Sequence, residues 1–171
     1  MKDVNVIENL ITQEELRKIQ STVTDYSFPW NLTDVVDPKE SCLNDPQYNF
    51  QFFHTLLYEK FVDTQYISLF EPVLIKIPAK RFTRVKVNLT PKTHKVLEHG
   101  YHIDSYDKNI KAAVFYINTC DGYTKFKNDG KVTSKENKMI LFDASKLHTG
   151  STCSNQSFRL VLNINYEHLC H

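Results

Sequence analysis

The sequence has almost no net charge to offer a partner. Its 21 lysines and arginines stand against 20 aspartates and glutamates, a formal charge of +1. Without a bulk basic field to hold phosphates, nucleic acid is not indicated by net charge, and any such contact needs a local patch. No run of about 18 apolar residues is present, which excludes a membrane-spanning helix. The first residues, MKDVNVIENLITQEEL, carry acids and lack a long apolar core, so they do not read as a signal peptide. The cysteines are Cys42, Cys120, Cys153 and Cys170, widely spread with no C-x-x-C pair. They read as reduced thiols of a cytoplasmic protein. Internal repeats and low-complexity segments are also missing. What remains is an apolar fraction of 41% in 171 residues, enough for one domain over 1–171 with a real core.

Thr12 to Glu15 forms a T-x-x-E capping box, with Leu16, Ile19 and Val23 following at helical spacing. This predicts a helix over 12–24. Residues 26–48, rich in Pro, Asp and Asn, read as a long irregular connection, and 49–58 as strand or helix. Tyr66, Leu69, Phe70, Val73 and Leu74 fall on one helical face, predicting a second helix over 64–77. After Pro78 the pattern becomes β-like. Phe82–Leu89 alternates apolar and polar, Tyr101–Asp104 is short, and Ala112–Asn118 is a continuous apolar run. Tyr123–Lys127, Lys138–Phe142 and Phe158–Tyr166 follow, separated by the turn signals Asp121-Gly122 and Asn128-Asp129-Gly130. The expectation is an α+β fold: a helical support region over about 1–77 and an antiparallel sandwich or jelly-roll core over 78–167, with the helices packed on one sheet.

Within that β region lies the chemistry. In His102-Ile103-Asp104, residues two apart on a strand share a face, so an imidazole and a carboxylate can converge on one ion. His148 follows on a polar segment. Two histidines and one carboxylate make the facial triad of non-haem Fe(II) sites, which leaves positions for a 2-oxo acid and dioxygen. Arg159 sits in the apolar strand F-R-L-V-L-N-I-N, where a guanidinium needs an anion and suits a carboxylate bidentately.

The pattern H-x-D, then His148, then Arg159 with ten residues between, resembles the 2-oxoglutarate/Fe(II) dioxygenase superfamily. It is most similar to the prolyl-4-hydroxylase-like branch with its compact bacterial and phage forms. The likeness covers residues 82–166. F-Y-I-N at 115–118, D-G-Y-T-K-F at 121–126, Lys138–Phe142 and H-T-G at 148–150 match family strands and turns. The resemblance implies a double-stranded β-helix core with Fe(II) on His102, Asp104 and His148. It implies 2-oxoglutarate on Arg159, dioxygen as oxidant, and hydroxylation of a substrate with release of succinate and carbon dioxide. It also implies Tyr116 as a hydrogen-bond donor to the cosubstrate's distal carboxylate, Asn88 as a cosubstrate-wall residue, and a cytoplasmic location, in a host cell if viral. Two departures stand out: Asp121 replaces the first turn glycine, and Val161 replaces a serine two residues after the arginine. The second carboxylate contact then falls to Tyr116.

Blander readings stand beside these. Tyr116 is plain core, Asn88 a strand-edge hydrogen bond, and His94 and His99 solvated loop residues rather than the lining of a pocket entrance. Lys80, Arg81, Arg84 and Lys86 form a basic stripe whose ordinary reading is a solvated sheet face; the functional one is contact with an acidic or phosphate-bearing substrate. His168, Cys170 and His171 lack the partners a structural zinc needs. The favoured substrate is a prolyl or other protein side chain, with a nucleobase or small metabolite next. The competing class is a non-catalytic β-sandwich module.

Overall fold

The structure, a computed structural model, describes residue 1 and residues 3–36 and 46–169. In chain order the elements are β1 (Asn5–Glu8), α1 (Gln13–Val23), β2 (Asn31–Asp34), a 3-10 turn (Pro46–Tyr48), β3 (Phe50–Tyr58) and β4 (Phe61–Val62). Next come a second 3-10 turn (Ile67–Phe70), α2 (Glu71–Leu74), β5 (Ala79–Pro91), β6 (Ile110–Tyr116) and β7 (Tyr123–Phe126). The last are β8 (Gly130–Thr133), β9 (Lys138–Asp143), β10 (His148–Gly150) and β11 (Phe158–His168). The large sheet runs β1-β9-β6-β11-β5-β3-β2 with β4 beside β3, and the small sheet runs β10-β7-β8.

Alternation along the strands builds two layers. Ala113 and Phe115 of β6, and Ile117 just after it, join a core with Leu160, Leu162 and Ile164 of β11, Val85 and Val87 of β5, and Leu16, Ile19 and Val23 of α1. The opposite faces, Ala112, Val114, Tyr116, Ile140, Phe142 and Val161, pack against Phe126 and Val132 of the small sheet. The result is an α+β jelly roll with helical segments covering one face of the large sheet. No helix among the described residues is long and apolar enough to cross a membrane.

Helix α1 forms where the capping box places it. Thr12 Oγ1 accepts from Glu15 N at 3.3 Å, and Glu15 Oε2 accepts from Thr12 N at 2.8 Å. The second helix does not run over 64–77. A 3-10 turn and a four-residue α2 stand there instead, because Pro72 and Pro78 stop the helix on both sides. Nor is the region 1–77 mainly helical, since β1, β2, β3 and β4 all join the large sheet. The interval 26–48 contains strand β2, and 49–58 is strand. The expectations for Cys42, Cys170 and His171 lie outside the described residues, while Cys120 and Cys153 are buried free thiols.

Candidate metal and cosubstrate site

The large sheet presents polar side chains on its inner face, toward the small sheet. On β5, Arg84, Lys86, Asn88 and Thr90 line a cavity of about 210 Å³, and on β11 Arg159, Val161 and Asn163 do. Gln51, His99, His102, Asp104, Thr124 and His148 complete its polar wall.

His102 and Asp104 do not lie on a regular strand. His102 makes a single antiparallel bridge to His148, with His102 N donating to His148 O and His148 N to His102 O, both at 2.9 Å. Asp104 is pinned by its own amide, which donates to Ala144 O at 2.8 Å. The two histidines are therefore brought together by backbone pairing, with ring centroids 4.6 Å apart. One ligand atom from each of His102, Asp104 and His148 lies within 4.8 Å of the others.

Both imidazoles are oriented by backbone carbonyls. His148 Nδ1 lies 2.8 Å from Lys146 O, and His102 Nδ1 lies 3.3 Å from Gly100 O. A proton held on Nδ1 leaves the Nε2 lone pair for a cation. Burial lowers the pKa of His148, against the opposing pull of Asp104, which favours the neutral, ligating form. Burial works to raise the Asp104 pKa, but the charges of Arg84 and the histidines and a hydrogen bond from Asn165 outweigh it and hold the carboxyl below its ordinary value. Arg84 Nη2 donates to Asp104 Oδ1 at 2.8 Å and Asn165 Nδ2 to Oδ2 at 3.1 Å. The residues present fit a divalent ion: two imidazole nitrogens, a carboxylate held below its ordinary pKa, and outer partners that fix each.

Arg159 is 5% exposed, and among the described residues no carboxylate forms an ion pair with it. Its Nε donates to Ser134 Oγ at 2.8 Å and its Nη2 to Thr124 Oγ1 at 3.1 Å. A buried guanidinium held by hydroxyls alone retains its charge for an incoming anion. Tyr116 lies beneath it rather than beside the cavity. The guanidinium carbon is 5.6 Å from the ring centroid, and the hydroxyl donates to Val132 O at 3.4 Å. Thr124 is the hydroxyl that lines the cavity next to Arg159. Asn88 does reach the cavity, with its Nδ2 donating to Gln51 Oε1 at 2.8 Å.

Several lining residues escape a reading of the sequence. His99 is 1% exposed, not a solvated loop residue. Burial and the charges of Arg159 and His102 pull its pKa to about 4, so it is neutral at pH 7. The basic stripe divides: Lys80 and Arg81 are exposed and pair with Glu167, whereas Arg84 and Lys86 face the cavity. Period-two alternation marks a polar face, but it does not say whether water or a cavity lies against it.

Gly122 is there for room. A Cβ at this position would stand 2.7 Å from Arg159 Cδ and 2.7 Å from Thr152 O. Gly122→Ala is therefore expected to cost about 1–3 kcal/mol by overpacking, read as a lower Tm. An unchanged Tm would show that both the Arg159 side chain and the Thr152 backbone give way at no cost.

No protein-family profile matches the chain, and no curated protein matches it in sequence. Solved structures do. A Pseudomonas putida prolyl-4-hydroxylase superposes with TM-score 0.65 at 14% identity, covering 98% of this chain and 93% of that one. A Trichoplax adhaerens prolyl hydroxylase, solved with a hypoxia inducible factor oxygen degradation domain peptide, gives TM-score 0.68 at 13% identity, covering 98% and 84%. A Burkholderia pseudomallei oxidoreductase of the 2OG-Fe(II) oxygenase family gives 0.63 at 9% identity, covering 97% and 86%. The chain shares the fold of prolyl-4-hydroxylases and 2OG-Fe(II) oxygenases.

Proposed function

We propose that the chain is a non-haem Fe(II), 2-oxoglutarate-dependent oxygenase that hydroxylates an unactivated C–H bond. One observation carries this reading: a two-histidine, one-carboxylate cluster opens into the same cavity as a buried arginine that has no carboxylate partner among the described residues. His102, Asp104 and His148 would hold the ferrous ion. Arg159 would hold the distal carboxylate of 2-oxoglutarate, with Thr124 as the neighbouring hydroxyl and Asn88 on the wall. Tyr116 supports the guanidinium from below. When bound, iron and 2-oxoglutarate together supply the oxidising power, by splitting dioxygen and releasing succinate and carbon dioxide.

This chain's residues supply geometry. Lys146 O and Gly100 O set the tautomers and tilts of the two imidazoles. Arg84 and Asn165 fix both oxygens of Asp104, so the carboxylate cannot rotate freely. The likeness to prolyl hydroxylases favours a protein side chain, prolyl among them, as the group hydroxylated; a small metabolite or nucleobase is the competitor.

Adding 2-oxoglutarate to the anaerobic Fe(II) protein is expected to produce a weak visible charge-transfer band. A folded protein that shows no band at saturating ligand would overturn the oxygenase reading in favour of a binding module.

A further inference from the structure

The cavity holds more positive charge than iron and cosubstrate need. Three cationic side chains line it, Arg84, Lys86 and Arg159, against one carboxylate, Asp104. A ferrous ion and a doubly charged 2-oxoglutarate cancel each other, so their arrival leaves the imbalance untouched. Arg159 is matched to the cosubstrate, and one arm of Arg84 to Asp104. Two donors then remain. Arg84 Nε is buried without a hydrogen-bond partner. Lys86 Nζ makes no ion pair with a described residue; it lies 5.5 Å from the centroid of the Phe53 ring, a contact that steadies the charge without neutralising it.

Arg84 and Lys86 are two apart on β5, so their side chains leave the same face about 7 Å apart along the strand. Burial lowers the Lys86 pKa to about 8, with the Arg84 charge adding to the effect. A cation kept there at a cost to folding needs a reason. Asn88 and Asn163 flank the pair on the cavity wall.

We propose that Arg84 Nε and Lys86 Nζ form an anion subsite beside the metal cluster, and that the substrate presents a carboxylate or phosphate group there. The word substrate rests on the oxygenase reading; the subsite itself does not. If the target is a protein side chain, an acidic or phosphorylated group adjoins the oxidised carbon. If it is a small metabolite, the metabolite is an acid or a phosphate ester.

Protein labelled with [ε-13C]lysine reads this directly, with the Lys86 resonance assigned by its loss in Lys86→Gln. Inorganic phosphate and acetate are titrated separately. The Lys86 signal is expected to shift saturably, with half-saturation below about 10 mM for at least one of the two anions. The signal of exposed, Glu167-paired Lys80 should stay nearly still. Saturation by phosphate alone supports a phosphorylated substrate, and by acetate alone a carboxylate. In Arg84→Met the half-saturation is expected to rise about tenfold, as one charged donor is lost. No saturable shift, an equal shift at every lysine, or an unchanged half-saturation in Arg84→Met would overturn the subsite. The titration needs neither iron nor oxygen. A Lys86 response without the Fe(II)–2-oxoglutarate band overturns the oxygenase reading alone, and the band without a Lys86 response overturns the subsite alone.

Discussion

Asp104→Ala is expected to abolish succinate formation and to destabilise the fold as well. A metal held by the cluster would lose its carboxylate ligand, and Arg84 loses the acceptor that lies 2.8 Å from it. Their side chains are 32% and 14% exposed, so the pair is neither fully buried nor free in water. Breaking a buried pair costs about 3–5 kcal/mol and an exposed one less than about 1, which places this loss at about 1–3 kcal/mol. For a chain of this length that lowers Tm by about 3–10 °C. His102→Ala should remove turnover equally while leaving Tm near the parent value, since among the described residues its side-chain hydrogen bond is the 3.3 Å contact to Gly100 O. Asp104→Asn should recover part of the Tm, because its amide oxygen can still accept from Arg84, but none of the turnover. Succinate assays beside thermal melts decide this. Turnover persisting in both alanine variants would mean the ligands are wrong. An unchanged Tm in Asp104→Ala would mean the Arg84 pair contributes nothing.

Arg159→Ala is expected to raise the 2-oxoglutarate requirement by about 10- to 150-fold, the equivalent of about 1.5–3 kcal/mol for a charge-assisted contact. Burial lowers the pKa of this arginine against the opposing influence of Tyr116 and the two cysteines, so its charge is costly in the empty protein and an incoming anion offsets that cost. Arg159→Lys should recover a small part of the loss. A lysine keeps the charge but not the fork, and it cannot reach Ser134 and Thr124 together. An unchanged requirement in Arg159→Ala would remove Arg159 from the cosubstrate site.

The sequence pointed to the cluster of His102, Asp104 and His148 because that combination of residues is rare. A histidine, an acid two residues on, a later histidine and an arginine in an apolar strand have few other uses together. It carried the reason for their convergence less well. His102 and Asp104 were expected on one strand face, whereas a lone bridge to His148 and a bond to Ala144 hold them. Tyr116 stays open between core residue and cosubstrate contact, because an aromatic in a buried strand looks the same whether its hydroxyl meets a ligand or a backbone carbonyl. Arg84 and Lys86 were left between a solvated face and a substrate contact for a similar reason, as the inner polar face of β5 reads like an outer one. Strands β1, β2 and β8 were not read because each is four residues long and mostly exposed, whereas the equally short β7 alternates buried and half-buried residues between two turn signals. The helix over 64–77 failed where two prolines outweighed an apolar stripe.

Strand β11 pairs with β5 on one side and β6 on the other, with Arg159, Val161 and Asn163 toward the cavity and Leu160, Leu162 and Ile164 in the core. A slip of one residue would exchange these sets, driving an arginine and an asparagine into the apolar layer and three aliphatic side chains into the cavity. Folding thus proofreads the cavity lining. A chain that mistakes its register forfeits its core at the same stroke, so a stable but inactive misalignment of β11 has no basin in which to accumulate.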